Sequence, residues 1–274
     1  MRLPANFERI AALAWRRAAP VSGFLGEGEF RALLTLAACA LALPGEGAMV
    51  EIGSFKGRST VALATLAREL GLGGEPRPVV SIDPHTSPSP TDPGVASFAD
   101  FIAALAAHEL SAAVEVHRAT SAEVARGWRR PIRLLWIDGD HTLAGARADF
   151  DLYAPFLVPG GLIALHDTLH FFDGPIRVFV EQVLRSNQFG PAGFLHTIGW
   201  AQFRPAGGEA WRARRLRLAR RASRLLPLVA PPRRFSGWNR LRYKAALALV
   251  PHAIPAPAAF AAALGKPEGA APAG

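Results

Sequence analysis

Met49-Val-Glu-Ile-Gly-Ser-Phe-Lys-Gly-Arg-Ser-Thr60 is the stretch that decides what this chain folds into. An apolar strand ends in Glu51-Ile-Gly53, a short turn follows, and a helix begins at Gly57-Arg-Ser-Thr60. Glycine stands at the strand end and at the helix start, where a side chain would keep a ligand from the backbone. The helix start then offers unpaired N–H donors to whatever fills the turn. A dinucleotide site would show G-x-G-x-x-G here, because a pyrophosphate needs close backbone contact and a helix N-terminus. This chain has E-x-G-x-x-x-G, with Glu51 on the strand. A carboxylate there repels a pyrophosphate but accepts hydrogen bonds from an ammonium group. The turn therefore suits a nucleoside carrying an amino acid, such as S-adenosylmethionine, better than NAD.

Outward from that turn, strand and helix patterns alternate. Residues 24–43 predict a buried helix, which Pro44-Gly45 breaks. The pattern predicts strands at 49–53, 79–83, 113–118, 133–138 and 161–166, and helices at 57–71, 97–109, 121–128, 143–156 and 174–187. The strands are continuous apolar runs, as in Leu162-Ile-Ala-Leu165, which is expected when helices cover both sheet faces. The fold class is thus α/β, a doubly wound and mostly parallel sheet with ligands at the strands' carboxyl ends. Residues 194–198 and 200–203 flank Gly199 and predict a closing antiparallel hairpin. The four prolines of 84–97 follow a strand end, so that loop is either a long connection at the ligand face or a substrate-gating lid.

Composition bounds the rest. The 274 residues suffice for one α/β domain with an appendage. A lone cysteine, Cys39, excludes a disulfide framework and a cysteine-based zinc cluster. The start has no apolar core suited to a secretory signal, and no stretch reaches the ~18 apolar residues of a spanning helix. A cytoplasmic location is the expectation. The net charge of +9 is unevenly spread: residues 1–200 carry −3 and residues 201–274 carry +12.

Polar residues gather at the predicted strand tips. Asp83 ends the second strand, where an acid can accept from both ribose hydroxyls or cap a turn. Ser121 follows the third strand, as a helix N-cap or as part of an adenine pocket. The fourth strand ends in Asp138-Gly-Asp140-His141 and the fifth in His166-Asp167. Neighbouring strands lie ~4.8 Å apart, so Asp138 and Asp167 could share a divalent cation of the Mg²⁺, Mn²⁺ or Ca²⁺ type. His141, with an ordinary pKa of ~6.5, is then a candidate base for a substrate hydroxyl. The alternative has Asp140 capping the next helix and His141 packed on its loop.

Glu51-Ile-Gly-Ser-x-x-Gly-Arg-Ser-Thr60, Ile82-Asp83-Pro, Ile137-Asp-Gly-Asp-His141 and Pro159-Gly-Gly161-x-Ile-x-x-His166-Asp167 occur in that order. Together they resemble the class I S-adenosylmethionine-dependent methyltransferases, and within them the small-molecule and sugar O-methyltransferase branch related to macrolide-sugar and cephalosporin-pathway enzymes. The resemblance spans roughly residues 20–204. It implies a Rossmann-like methyltransferase domain at 46–204, preceded by an N-terminal helical cap at 1–45. It implies that Glu51, Gly53, Ser54, Gly57, Ser59, Asp83, Ser121 and Asp138 hold the cofactor, with Asp83 on the ribose and Ser121 by the adenine. It further implies that Asp138 and Asp167, with His166 beside them, bind Mg²⁺ and that His141 is the base. Where some relatives carry a further acid, this chain has His166. The acceptor would be a hydroxylated small molecule, a sugar or glycoconjugate.

Residues 205–274 form a basic extension. Trp211, Leu218, Ala222 and Leu225 fall on one helical stripe among arginines, and a second cluster runs from Arg233-Arg234 to Lys244. A solvated helix packed on the body, an amphipathic anchor on an anionic membrane surface through 211–244, and a nucleic-acid contact are the three readings. A nucleic-acid methyltransferase is disfavoured, because Asp-Gly-Asp-His stands where a base-extruding Asn/Asp-Pro-Pro-Tyr-like motif would be. A membrane-peripheral module that binds cofactor without turnover is the non-enzymatic alternative. The Ala/Pro/Gly-rich end from Ala256 predicts disorder, and the oligomeric state stays open.

Overall fold

A computed structural model describes residues 1–72, 76–86, 97–229 and 236–264. Helices α1 (Phe7–Ala18) and α2 (Glu27–Leu41) precede β1 (Ala48–Ile52) and α3 (Arg58–Glu69). There follow β2 (Val79–Ile82), α4 (Phe98–Ala106), β3 (Val114–His117), α5 (Ser121–Ala125), β4 (Ile132–Ile137) and α6 (Leu143–Tyr153). Strand β5 (Leu157–Leu165), α7 (Asp173–Val178), β6 (Phe189–Leu195) and β7 (Ile198–Phe203) complete the sheet. The chain ends in α8 (Arg212–Ala222), α9 (Leu226–Val229), α10 (Gly237–Leu247) and α11 (Pro257–Leu264).

The seven strands run in the order β3-β2-β1-β4-β5-β7-β6. The first five are parallel, and β7 is antiparallel to both β5 and β6. The order reverses between β1 and β4, so their carboxyl ends open a crevice, the usual place for a ligand in such sheets. Both faces are covered. Helices α1, α2 and α3 pack with Phe101, Trp136 and Phe260 on one side, and Phe150, Tyr153, Phe179, Leu225 and Tyr243 pack on the other. Two-sided burial is why these strands read as unbroken apolar runs rather than alternating ones.

Three elements differ from the sequence pattern. The β6–β7 turn falls at His196-Thr197, so Gly199 lies inside β7 rather than at the bend. Glycine is required there by packing: a Cβ would sit 2.9 Å from Thr168 Oγ1 and 3.0 Å from the Phe179 ring. The helix expected over 174–187 is α-helical only to Val178 and continues as a π-helical segment, Phe179–Leu184. Residues 257–264, expected to be disordered, form α11, because Phe260, Ala261 and Leu264 bury against the body and Phe260 meets the Trp200 ring edge-on at 4.7 Å. Residues 265–274 lie outside the described residues, as do Arg233, Arg234 and most of the proline loop.

The basic extension packs on the body through a stripe that keeps Ala222 and Leu225 of the expected one, both fully buried, and replaces the other two. Arg215, Ala219 and Ala222 face inward on α8, while Trp211 and Leu218 stay half-exposed. Arg215 is fully buried and donates to the carbonyls of Phe189, Gly190, Gly208 and Ser186. A guanidinium, with five donors in a fixed fork, can satisfy that many acceptors at once. Among the described residues, no helix is long and apolar enough to cross a membrane.

Candidate active site

The glycine turn is shaped by the strand beside it. Gly53 has φ +88, and a Cβ there would lie 2.2 Å from the Asp138 carbonyl oxygen. Gly57 has φ +96 and faces the Phe101 ring. Between them Phe55 takes φ +48, an uncommon conformation for a bulky residue, held by stacking of its ring on Phe24 at 5.8 Å. The Arg58 guanidinium of the Gly57-Arg-Ser-Thr60 segment donates to the Val21 and Leu25 carbonyls at 2.7 and 3.0 Å, tying the N-terminal helices to the turn.

Asp83 serves the turn directly. Its Oδ2 accepts from the Ser54 and Phe55 N–H groups at 2.9 and 2.8 Å, and its Oδ1 accepts from His85 N–H at 2.6 Å. The side chain keeps some exposure to the crevice. Ser54 Oγ meets Ser81 Oγ at 2.7 Å. Glu51 is fully buried, with Oε2 accepting from Thr60 Oγ1 at 2.5 Å and Oε1 lacking a partner among the described residues. Burial pushes its carboxyl up to about 7, against the pull of the Ser59 and Thr60 hydroxyls.

Ser121 is not the N-cap of its helix. Thr120 holds that position, with Glu123 completing a capping box. Ser121 instead donates from Oγ to Asp149 Oδ1 at 2.5 Å, while its carbonyl accepts from Tyr153 Oη at 2.8 Å. Burial raises the Asp149 carboxyl to about 6. Asp140 also leaves the cap of the next helix to a neighbour: Thr142 caps α6, and Asp140 accepts from the Thr142 N–H and hydroxyl at 2.9 and 2.8 Å.

The tips of β4 and β5 bring two acids and two imidazoles together. His141 Nε2 lies 3.3 Å from Asp167 Oδ2 and 3.7 Å from Asp138 Oδ1, without meeting hydrogen-bond geometry with either. His166 Nδ1 lies 2.9 Å from Asp138 Oδ1, and its Nε2 is 3.7 Å from Glu29 Oε2 of α2. Burial disfavours charge on both imidazoles, but the carboxylates outweigh it, so His141 is raised and His166 raised well above the ordinary value. Burial likewise opposes the Glu29 charge, yet His166, His196 and Thr197 hold its carboxyl below the usual range. Asp167 itself has φ +52, the kind of local strain that gathers at working sites. Ligand atoms of Asp138, His141 and His166 lie within 4.8 Å of one another.

Aromatic rings close one side. The Phe172 ring lies 4.5 Å from that of His141, and His170 and Phe171 stack behind it at 5.5 and 4.9 Å. The His170 carbonyl accepts from Tyr243 Oη of α10 at 2.7 Å, so the basic extension holds this wall.

Residues 50–168 match a family described as a methyltransferase domain. Over those residues the chain is similar to a methyltransferase domain. Every one of Glu51, Gly53, Asp83, Asp138, His141, His166 and Asp167 falls inside it. The structure of the O-methyltransferase NovP is similar, with a TM-score of 0.55 at 11% identity over 65% of this chain and 81% of that one. A Staphylococcus aureus protein provisionally assigned as a caffeoyl-CoA O-methyltransferase has a TM-score of 0.51 at 13% identity, over 73% of this chain and 93% of its own. A Klebsiella pneumoniae protein provisionally assigned as an O-methyltransferase gives 0.51 at 15%, over 73% and 90%. At such identities the likeness establishes the fold. The matched region thus sits on the expected doubly wound sheet, with Glu29, Asp149, Phe172 and Tyr243 added by the tertiary structure.

Proposed function

We propose that the chain is an S-adenosylmethionine-dependent O-methyltransferase of a hydroxylated small molecule, a sugar or glycoconjugate, with His141 as base. The observation that carries the base is the buried Nε2 of His141, which meets hydrogen-bond geometry with no group among the described residues while facing Asp138 and Asp167 beside the glycine turn. The cofactor is supported by the turn itself: among the described residues Glu51 Oε1 is a buried acceptor without a partner, and Gly53 and Gly57 supply the positive-φ bends that bring the turn close to β4. When bound, S-adenosylmethionine supplies a methyl group on a sulfonium, so the protein's task is placement of the acceptor oxygen.

In this mechanism Glu51 receives the cofactor's ammonium group, Asp83 holds the turn and keeps lone pairs for the ribose hydroxyls, and Ser121 with Asp149 borders the adenine. The acceptor hydroxyl lies against the Phe172 wall and gives its proton to His141 Nε2. Asp138 and Asp167, 3.7 and 3.3 Å from that same nitrogen, then stabilise the imidazolium through their charge.

The donor set also fits a divalent ion, since ligand atoms of Asp138, His141 and His166 lie within 4.8 Å of one another and Asp167 Oδ2 lies 3.3 Å from His141 Nε2. Asp138 and Asp167 would hold it, and it would lower the pKa of the acceptor hydroxyl. His166, already engaged by Asp138 and Glu29, is assigned the role of orienting Asp138 rather than of a ligand.

His141→Ala is expected to lower turnover by roughly 10²–10⁴-fold with cofactor affinity unchanged, and Asp83→Ala to weaken cofactor binding. Titration calorimetry beside a methyl-transfer assay reads both, and undiminished turnover in the histidine variant removes His141 from the mechanism. Chelation followed by readdition of Mg²⁺ or Mn²⁺ tests the metal: lost and restored turnover supports it, and full turnover after chelation dismisses it.

A further inference from the structure

The outward faces of the C-terminal extension carry features that methyl transfer does not use. On α8, Arg214, Arg217 and Arg221 recur at i, i+3 and i+7, one stripe of a helix, and all three are exposed. Among the described residues no carboxylate pairs with any of them. They edge a groove of about 420 Å³ whose walls include Leu218, Phe194, Trp200, Phe260 and Pro251. Cations thus stand over an apolar floor.

Helix α10 repeats the arrangement. Tyr243 is buried and Asn239 half-buried on its inner side, where they donate to the carbonyls of His170 and Leu228. Trp238 is 74% and Leu241 52% exposed, among the exposed Arg240, Arg242 and Lys244. Leu249 and Ile254, also exposed, bracket Pro251 of the groove wall, so the chain itself joins the two features.

We propose that this face docks on an anionic phospholipid bilayer, the arginines of α8 taking lipid phosphates while Trp238, Leu241 and Leu249 enter the headgroup–acyl boundary. Charge complementarity selects this occupant. Residues 201–274 carry +12, so a second copy of the same surface is repelled. A nucleic acid would satisfy the arginines, but exposed leucines gain nothing from phosphates and bases, whereas both residue types gain at a lipid interface. Basic residues beside apolar ones are the usual composition of helices that lie in that plane.

Co-sedimentation of the full chain with phosphatidylcholine vesicles, with and without phosphatidylglycerol, tests the proposal. Binding is expected only to the anionic vesicles and should weaken as salt is added. Arg214→Gln/Arg217→Gln/Arg221→Gln should weaken it roughly a hundredfold, the effect of three cations at a bilayer surface. Trp238→Ala/Leu241→Ala, which changes no buried residue, should abolish the blue shift in tryptophan fluorescence on vesicle addition. Arg147→Gln, on a surface of the body, should change neither. Equal binding to neutral vesicles, no binding to anionic ones, undiminished binding by the arginine variant, or capture of RNA without capture of vesicles would each overturn it. Cofactor binding and methyl transfer are read separately, so failure here leaves the proposed chemistry standing.

Discussion

Glu51 and His141 both work in their deprotonated forms, and both can be read with pH. The Glu51 carboxyl is raised from 4.5 to about 7 by burial. The folded chain therefore keeps a proton that the unfolded chain has lost, and this group's contribution to stability falls as pH rises from about 4.5 to about 7. The slope is at most ~1.4 kcal/mol per pH unit. An incoming ammonium group requires the ionised form, so S-adenosylmethionine affinity should rise over the same window and lose that dependence in Glu51→Gln. Calorimetry at two pH values decides it; a wild-type affinity flat across the window contradicts the assignment. His141 is raised by Asp167 and Asp138 despite burial. A base must be neutral to act, so kcat should climb with pH through a value above the ordinary ~6.5 of an imidazole. In Asp167→Asn that limb should move to lower pH.

Several of these residues are legible in the amino-acid sequence, and for a definite reason. Gly53, Asp83, Asp138 and Asp167 sit at strand tips, and in a parallel sheet the tips converge whatever the loops do. Glu29 carries no such signal: an acid in the first turn of a helix reads as a cap, and it does approach Gly26 N–H at 3.3 Å. Asp149 leaves a trace, standing on the same stripe as Ala146, Phe150 and Tyr153, an acid on a buried helix face.

At the scale of elements, α8 illustrates where amphipathic reasoning fails. Apolar residues alone would turn Leu218 inward, yet Arg215 is the residue the fold buries, because Phe189 of β6, Ser186 after the π-helical turn and Gly208 just before α8 present carbonyls to it. Arg215→Ala removes the donor to all of them, and each buried acceptor left bare costs ~1–3 kcal/mol. The melting temperature should drop by roughly 5–10 °C, with Arg215→Lys restoring little, since an ammonium lacks the planar fork. A change under a degree would mean that water replaces the guanidinium without loss. The alternating body is readable because its strands are apolar throughout. The β6–β7 bend lies away from its expected place because Gly199 looks like a turn residue while serving as a packing one.

For the molecule as a whole, the charge division of the sequence does not coincide with a division of the core. Leu225, Leu228 and Tyr243 belong to the cluster that holds Phe150 and Phe179, and Phe260 belongs to the opposite one. Removing residues 205–274 deletes large side chains that each contribute roughly 1.5–3 kcal/mol on burial. The truncated chain should therefore melt well below the full one and self-associate during size-exclusion chromatography. A truncated chain that stays monomeric with the full melting temperature would make the extension an independent appendage.

The hydrogen bond from Tyr243 to the His170 carbonyl spans these scales. It ties the aromatic wall beside His141 to α10, so a ligand that orders one end is expected to order the other. An acceptor seated against Phe172 should slow hydrogen exchange at the amides of α10, and a Tyr243→Phe chain should uncouple the two while still loading its cofactor.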